Sequence, residues 1–277
     1  MLGEWWKCRC AIAKFRGYEP QRVTRDSFKR WLYQFDDPVD RKLVLELLDS
    51  IVYLDEQQVK RALLDLNRAL LQRLEGFGIP PEKIIYVQTD DAGSSSTVVL
   101  NFLRNRDGLE KRGCKLIDSN NVRGLNTLTN ELGEGAIIYV DDFVGTGDQL
   151  AKVRGFIGEY IFGSFSEFVL APSICEEGVH QLGRIGIEPV TKYLHAKSDR
   201  PLHELSSRLD DLSKRRLIEL SRIMDTSCYY RGLGYKYAAG MVVLYSNAPD
   251  ELPRIFRGSS GQKPKVGLFP RHQDLPI

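Results

Sequence analysis

The sequence predicts an α/β protein in which a parallel β-sheet is covered by helices on both faces. Short apolar runs of buried-strand type recur along the chain, and each leads through a polar segment into a helical pattern. Strands that alternate with helices are typical of parallel sheets, and their strands are continuous apolar runs because both faces are buried. A stretch of purely helical pattern precedes the first strand, which adds an all-helical N-terminal unit to this architecture.

Residues 1–78 are predicted to form the helical N-terminal domain. Thr24 or Asp26 can cap a first helix. Asp37, placed before a proline, opens a second helix, and Asp55 starts a third. Apolar residues at helical spacing give these helices a buried face: Phe28, Trp31, Leu32, Phe35, Leu43, Leu47, Leu48, Ile51, Val59, Ala62, Leu63, Leu66, Leu70 and Leu74.

Residues 79–277 are predicted to form the second domain, which contains the sheet. The predicted strands are apolar runs of four to eight residues: 83–88, 136–140, 167–171 and 187–194. Beyond them, residues 201–227 are helical and charged, and 241–245 is a further apolar strand. Ligands of parallel sheets bind outside the carboxyl ends of the strands, and the polar loops after the first two strands lie there.

The segment IIYVDDFVGTGDQL carries the clearest chemical pattern in the chain. Its apolar strand delivers Asp141 and Asp142 to the sheet edge, and a turn made by Gly145, Thr146 and Gly147 leads into a helix. Glycine permits positive φ and close approach of a ligand, and backbone N–H groups at a helix start form an anion cradle. Adjacent carboxylates suit vicinal hydroxyls. The pattern therefore predicts a sugar-phosphate pocket, or acidic loop residues that only cap a helix.

A second polar loop, residues 89–96, follows the first predicted strand. Its glycine and serines offer backbone and hydroxyl donors that suit a phosphate at a helix start: Gly93, Ser94, Ser95 and Ser96. Asp90 and Asp91 help to hold Mg²⁺ in one interpretation and cap the helix in the other. No Walker A sequence precedes the acidic segment, which disfavours a P-loop nucleotide hydrolase.

These motifs resemble the binding motif for phosphoribosyl pyrophosphate (PRPP) in type I phosphoribosyltransferases. The resemblance implies that Asp141 and Asp142 hold the ribose in catalysis and help to bind Mg²⁺ with PRPP. It also implies a set of substrate-binding residues in the two loops: Gly145, Thr146, Gly147, Asp148, Gln149, Gly93, Ser94, Ser95 and Ser96. The chain departs from the family pattern at Gly145, where a threonine is usual, and at Asp148, where a small residue is usual.

Over most of its length the chain resembles divergent phosphoribosyltransferase-like proteins of bacterial conflict and anti-phage systems. The resemblance implies a mobile catalytic flap over residues 104–134, with the candidate cations Lys111, Arg112, Lys115 and Arg123. It also implies a C-terminal hood, about 200–277, that selects the acceptor base, with the candidate contacts Tyr235, Asn247 and Arg271. Two functions stay open: ribose-phosphate transfer or consumption in antiviral defence, and non-catalytic nucleotide sensing by a regulatory binding module.

The composition limits partners and location. Of 277 residues 42% are apolar and 27% charged, and the net charge is +2, so neither nucleic acid nor a membrane surface is an expected partner. Neither a signal peptide nor a membrane-spanning run is recognised, and the protein is predicted to be cytoplasmic. The expected partners are PRPP or a nucleotide, a protein from a defence operon, and a second copy of the chain in a homodimer.

Overall fold

The structure is a computed structural model that describes residues 2–89, 95–225, 229–258 and 265–271. The helices of these residues are α1 Leu2–Lys14, α2 Arg25–Leu32, α3 Pro38–Asp49, α4 Glu56–Gly76, α5 Ser95–Arg106, α6 Val122–Leu132, α7 Asp148–Ile157, α8 Glu176–Arg184, α9 Asp211–Ile223 and α10 Arg254–Arg257. The strands are β1 Val52–Leu54, β2 Ile84–Gln88, β3 Lys115–Asp118, β4 Glu134–Val140, β5 Phe143–Val144, β6 Ser164–Leu170, β7 Ser173–Cys175, β8 Ile187–Val190, β9 Tyr193–His195 and β10 Val242–Leu244.

The main sheet is parallel, as predicted, and has five strands in the order β3-β2-β4-β6-β8. All five residues of β2 are buried, as are the last six of β4, because helices flank the sheet. The last residues of neighbouring strands are paired: Asp118 with Gln88, Gln88 with Val140, Val140 with Leu170, and Leu170 with Val190. The five strands therefore end at one level, and the loops that follow them start from a common edge.

The chain forms two compact units that differ from the predicted division at residue 78. Unit 1 contains residues up to 58 together with those from 195 onward, and unit 2 contains residues 59–194. The prediction of an all-helical N-terminal unit is wrong, because β1 lies between α3 and α4 and pairs in parallel with β10. A three-residue strand leaves no readable periodicity, and its partner lies about 190 residues further along the chain.

The predicted N-terminal caps are confirmed. Thr24 accepts a hydrogen bond from the backbone of Ser27 at the start of α2, and Asp37 accepts one from Val39 at the start of α3. Asp55 accepts a hydrogen bond from the backbone of Gln58 just before α4. The three capping side chains satisfy N–H groups that a helix start would otherwise leave without acceptors. Helix α1 was not predicted.

Unit 1 has an apolar core built from both ends of the chain. Trp31 is fully buried, its indole Nε1 donates to the backbone oxygen of Ile255 over 2.7 Å, and its ring stacks on Phe256. Phe269 is also fully buried, and Tyr18 donates its hydroxyl to the backbone oxygen of Pro270 over 2.7 Å. Residues 268–270 of the C-terminal segment are thus part of this core.

Unit 1 also contains a buried histidine, which gives a prediction for pH. Burial, followed by the charge of Arg200, lowers the pKa of His195 from 6.5 to about 4. Unfolding therefore binds a proton between these values, so the unfolding free energy falls as pH drops from 6.5 towards 4, by about 3 kcal/mol. In urea titrations the His195→Gln variant should lose less stability than the wild type between pH 7 and 4.5. An equal loss in both proteins would contradict this role of His195.

The segment predicted as a flap, residues 104–134, is instead mostly regular structure in unit 2. It contains the end of α5, the sheet strand β3 and helix α6. The strand was missed because only Leu116 and Ile117 are apolar, which is too short a run to distinguish from a loop. A small sheet of order β5-β7-β9 was not predicted, and the predicted strand 187–194 is instead two strands, β8 and β9, which belong to different sheets.

None of the helices in the described part of the chain is both long and apolar enough to cross a membrane.

Candidate functional site

The two predicted loops start from neighbouring strands in the middle of the main sheet. The loop of residues 89–96 follows β2, and the acidic segment follows β4. From β2 the chain first adds β3 on one side, and all later strands of this sheet lie on the other side. A gap where the strand order reverses in this way is where open parallel sheets bind their ligands. The topology thus brings the predicted site residues to a favourable position.

A hydrogen bond joins the two loops directly. The hydroxyl of Ser95, the first residue of α5, donates to Oδ1 of Asp141 over 2.8 Å. The same oxygen accepts the backbone N–H of Asp142 over 2.8 Å. Backbone N–H of Asp141 donates to Leu170 of the next strand over 3.2 Å. The carboxylate of Asp141 is therefore held in a fixed orientation, and both acids are half-buried at the strand ends.

The predicted phosphate turn is present, although a short strand precedes it. After β5, which pairs with β7, the buried Gly145 and Gly147 flank the half-buried Thr146. Gly147 caps α7 with φ +77°, and a Cβ there would lie 3.2 Å from Cβ of Gln181. Since side-chain-bearing residues rarely adopt this φ, the turn requires glycine at this position. The first N–H groups of α7 then lie next to the turn, in the arrangement that suits an anion.

Asp148 takes part in this turn. The hydroxyl of Thr146 donates to Oδ2 of Asp148 over 2.8 Å, so it is directed to a carboxylate in this structure. Gln149 is exposed in the first turn of α7. The departure at position 148 therefore has a structural role, because the carboxylate orients the threonine that was predicted as a phosphate donor.

A half-buried polar group fixes the body of α7 to the sheet. Arg154 Nε lies 2.8 and 2.6 Å from the two carboxylate oxygens of Glu167 on β6. Tyr139 of β4 donates its hydroxyl to the same carboxylate over 2.7 Å. Burial, together with the charge of Glu167, raises the pKa of Tyr139 well above its usual value, so it stays a donor at neutral pH. These bonds therefore hold the second half of α7 against the sheet.

The remaining predicted loop residues are only partly described. Ser96 is fully buried in the first turn of α5. Gly93 and Ser94 lie outside the described residues, as do Asp90 and Asp91. The described side chains contain no group of three or more His, Cys, Asp or Glu residues that could hold a metal.

Sequence reasoning missed a residue of α8 that shapes the turn. A Cβ on Gly178 would lie 2.7 Å from the backbone oxygen of Gly145 and 3.0 Å from Cγ1 of Val144. Helix α8 can approach the turn this closely only because position 178 has no side chain. Glycine inside the helical pattern EEGVHQLGR was the available signal, since it weakens a helix unless packing requires it, but the same signal is given by Gly183, where nothing packs.

The candidate flap cations lie at different places around the sheet. Lys111 and Arg112 precede β3, and Lys115 is its first residue, opposite to the edge where the strands end. Arg112 donates to the backbone oxygen of Asp107 over 2.9 Å. Arg123 follows β3 and therefore lies on the side of the predicted site. Among the four, topology favours Arg123 alone.

The candidate acceptor contacts belong to unit 1 and make local interactions there. Arg271 donates to the backbone oxygen of Ala248 over 2.7 Å, and its guanidinium lies 3.2 Å from Asp250. Asn247 accepts the N–H of Ala248 over 2.9 Å. The ring of Tyr235 packs on Tyr230. The hood and its selection of an acceptor stay predictions.

A parallel α/β sheet with an acidic pair and a glycine turn at its switch point is the arrangement expected of a phosphoribosyltransferase-like protein. The family model PRTase-CE matches residues 28–271, and the chain belongs to this family. Among solved structures, the chain is similar to the crystal structure of orotate phosphoribosyltransferase from Aeropyrum pernix. That match has 18% identity and a TM-score of 0.33, and covers 48% of this chain and 68% of the other. No curated protein matches the chain significantly.

Proposed function

We propose that this protein binds PRPP, or the 5′-phosphate of a nucleotide, where β2 and β4 end, and transfers or consumes the ribose-phosphate group. The observation that carries the proposal is the 2.8 Å hydrogen bond from Ser95 to Asp141, because it joins the pyrophosphate-type loop to the ribose-type acids. PRPP carries a phosphate group at each end of its ribose. It therefore needs a pyrophosphate-binding loop directly beside the acids that bind the ribose. The family supports the same class.

In the proposed reaction the two acids accept hydrogen bonds from the ribose hydroxyls, which suits the positive charge that develops at the anomeric carbon. Backbone N–H groups of the turn at Gly145–Gly147 and of the start of α7 hold the 5′-phosphate. The bond from the anomeric carbon to pyrophosphate breaks as a nitrogen nucleophile forms the new bond. Mg²⁺ would neutralise the pyrophosphate, bound by Asp141 and Asp142 together with substrate oxygens.

The site acts in bacterial anti-phage defence in this proposal, where the consumption of a nucleotide pool would follow from the same chemistry. Resemblance to conflict-system proteins supports this setting. The protein would be cytoplasmic, with a partner from the same operon or a second copy of the chain.

Calorimetry with PRPP and Mg²⁺ tests the pocket. We expect the wild type to bind PRPP and the Asp141→Asn/Asp142→Asn variant to bind at least about tenfold more weakly, because two charged acceptors are lost. Asparagine keeps an oxygen for the bonds from Ser95 and from the backbone of residue 142. The matched control is Asp26→Asn/Asp36→Asn, which removes the same charge from exposed positions and should bind normally. A wild type that binds neither PRPP nor a nucleoside 5′-monophosphate at this site would refute the proposal.

A nucleotide-sensing module is the second candidate, and one observation favours it. The hydroxyl of Thr146 is directed to Asp148, which adds a negative charge beside the phosphate turn. Release of pyrophosphate from PRPP, measured with a panel of nucleobases, separates the two functions. Binding without any release supports the sensor, and release that depends on the two acids supports the transferase.

A further inference from the structure

A separate cavity of unit 1 has three arginines among its six lining residues. It has a volume of about 430 Å³, which is within the usual range of small-molecule sites. Its lining residues come from α9 and from the segment after it: Arg215, Ile218, Glu219, Arg222, Arg231 and Tyr237. Arg215 and Arg222 are two helical turns apart, about 10 Å along the axis, with Ile218 between them.

The charges in this cavity are unbalanced. Among the described residues, the side chains of three arginines make no ion pair or hydrogen bond: Arg215, Arg222 and Arg231. Glu219, the acid of the cavity, accepts a hydrogen bond from Arg216 over 3.0 Å. Within the described ranges, three guanidinium groups at one concave surface thus lack a carboxylate partner, and arginine binds phosphate oxygens through parallel N–H donors.

The cavity wall that carries Arg231 and Tyr237 has an unusual backbone. The five non-glycine residues with positive φ in the described chain all belong to this segment: Tyr230, Arg231, Lys236, Tyr237 and Ala239. Such backbone is unfavourable for residues with a side chain and is concentrated at ligand sites in known proteins. The strained segment therefore needs support from its surroundings.

Contacts with α9 provide that support. Ser221 Oγ donates to the backbone oxygen of Gly232 over 2.7 Å, and the N–H of Gly232 donates to Asp225 over 3.2 Å. Gly232 has φ +72°, and a Cβ there would lie 2.1 Å from the backbone oxygen of Ser221. The segment is thus fixed against α9 directly after Arg231, which holds this arginine at the same cavity as Arg222.

Tyr237 adds an aromatic surface to the cavity. Its ring packs edge-on against Tyr230 at 5.4 Å between centroids, and about half of the residue is exposed. A fixed, exposed ring beside arginines is the combination by which proteins bind a base together with its phosphate.

We propose that this cavity is a second ligand site, which binds a nucleotide unit with its phosphate on the three arginines and its base against Tyr237. The nucleotide unit is either a free nucleotide or the terminal unit of a single-stranded nucleic acid, since both present the same groups. This site is independent of the PRPP site proposed for unit 2.

Two probes distinguish the sources: adenosine 5′-monophosphate, followed by calorimetry, and a 5′-phosphorylated, 3′-labelled oligouridine, followed by fluorescence anisotropy. Both are measured with excess PRPP and Mg²⁺ present, so that the first site is filled. We expect the Arg215→Ala/Arg222→Ala variant to bind whichever probe the wild type binds at least about tenfold more weakly. For the oligouridine, the dependence of log affinity on log salt should become less steep, because two positive charges beside its terminal phosphate are lost.

The matched control is Arg22→Ala/Arg30→Ala, which removes two exposed arginines of unit 1 outside the cavity. It should bind the probes within about twofold of the wild type. Alanine has the highest helix propensity, and both positions are exposed on α9, so the test variant should fold. Its far-UV circular dichroism and its PRPP affinity should be unchanged. Binding of the monophosphate indicates a free nucleotide, and binding of the oligouridine alone indicates a strand end.

The proposal is overturned if the wild type binds neither probe, or if the cavity variant binds as well as the wild type. It is also overturned if the control variant loses as much affinity, since the binding would then be general charge attraction. A loss of PRPP binding in Asp141→Asn/Asp142→Asn leaves these results unaffected, so the two proposals fail separately.

Discussion

Replacing Gly178 by alanine is expected to weaken PRPP binding by about ten- to a hundredfold, although the new methyl group touches no ligand. The Cβ would lie 2.7 Å from the backbone oxygen of Gly145. Neither atom can avoid the contact by a side-chain rotation, because the oxygen belongs to the backbone and the Cβ is fixed to the backbone of α8. Ordinary contact needs about 0.7 Å more, so the turn or α8 must move. If the shift breaks one hydrogen bond to the charged phosphate, the loss is about 1.5–3 kcal/mol, or about ten- to a hundredfold in affinity.

Gly183→Ala is the matched control for this prediction. It lies on the same helix, and a Cβ there has no atom within 4 Å. On helix propensity alone both substitutions should stabilise α8, by up to about 1 kcal/mol. Calorimetry with PRPP should therefore show normal binding for Gly183→Ala and weak binding for Gly178→Ala. Equal affinities in the two variants would mean that the turn at Gly145 does not bind the ligand.

Replacing Trp31 by alanine is expected to lower the unfolding free energy of unit 1 by about 3–5 kcal/mol. This is the range for truncating a fully buried tryptophan, because the cavity left behind adds to the lost apolar burial. The substitution also leaves the backbone oxygen of Ile255 without its donor. Urea unfolding followed by far-UV circular dichroism measures the effect.

Two further variants separate the contributions at this position. Trp6→Ala removes the same side chain from a residue that is 61% exposed, and its unfolding free energy should change by less than about 0.5 kcal/mol. Trp31→Phe keeps most of the apolar volume and loses the indole donor, so its loss should be intermediate. A loss for Trp31→Ala that is no larger than for Trp6→Ala would show that the core described for unit 1 is incorrect.

The sequence was sufficient for features that depend on neighbouring residues. The buried runs in β2 and β4 predicted a parallel sheet, and Thr24 and Asp37 predicted helix starts. The glycines at 145 and 147 predicted the turn between an acidic strand end and α7. In each case one short stretch contains the residue types and the spacing that the physics requires.

Features that depend on distant residues could not be predicted. Two such features are the pairing of β1 with β10 and the approach of Gly178 to Gly145. In both cases the residue types of one segment do not indicate which distant segment it contacts. The arginine cavity was missed for a related reason. The net charge of +2 describes the whole chain and does not show a local cluster of arginines. Arg231 also reaches the cavity of Arg222 through a backbone with positive φ values, which its residue types do not predict.

The construction of unit 1 from two distant stretches has a consequence for how the chain is made. Trp31 and its acceptor Ile255 are separated by 224 positions, so the ribosome synthesises all of residues 59–194 before the partner segment emerges. Unit 2 is one continuous stretch of chain and can fold while translation proceeds. Until the C-terminal segment is synthesised, the apolar faces of α2 and α3 stay exposed to solvent. Segments that fold late expose apolar surface for the longest time. We therefore expect the N-terminal part of unit 1 to depend on chaperones more than unit 2 does.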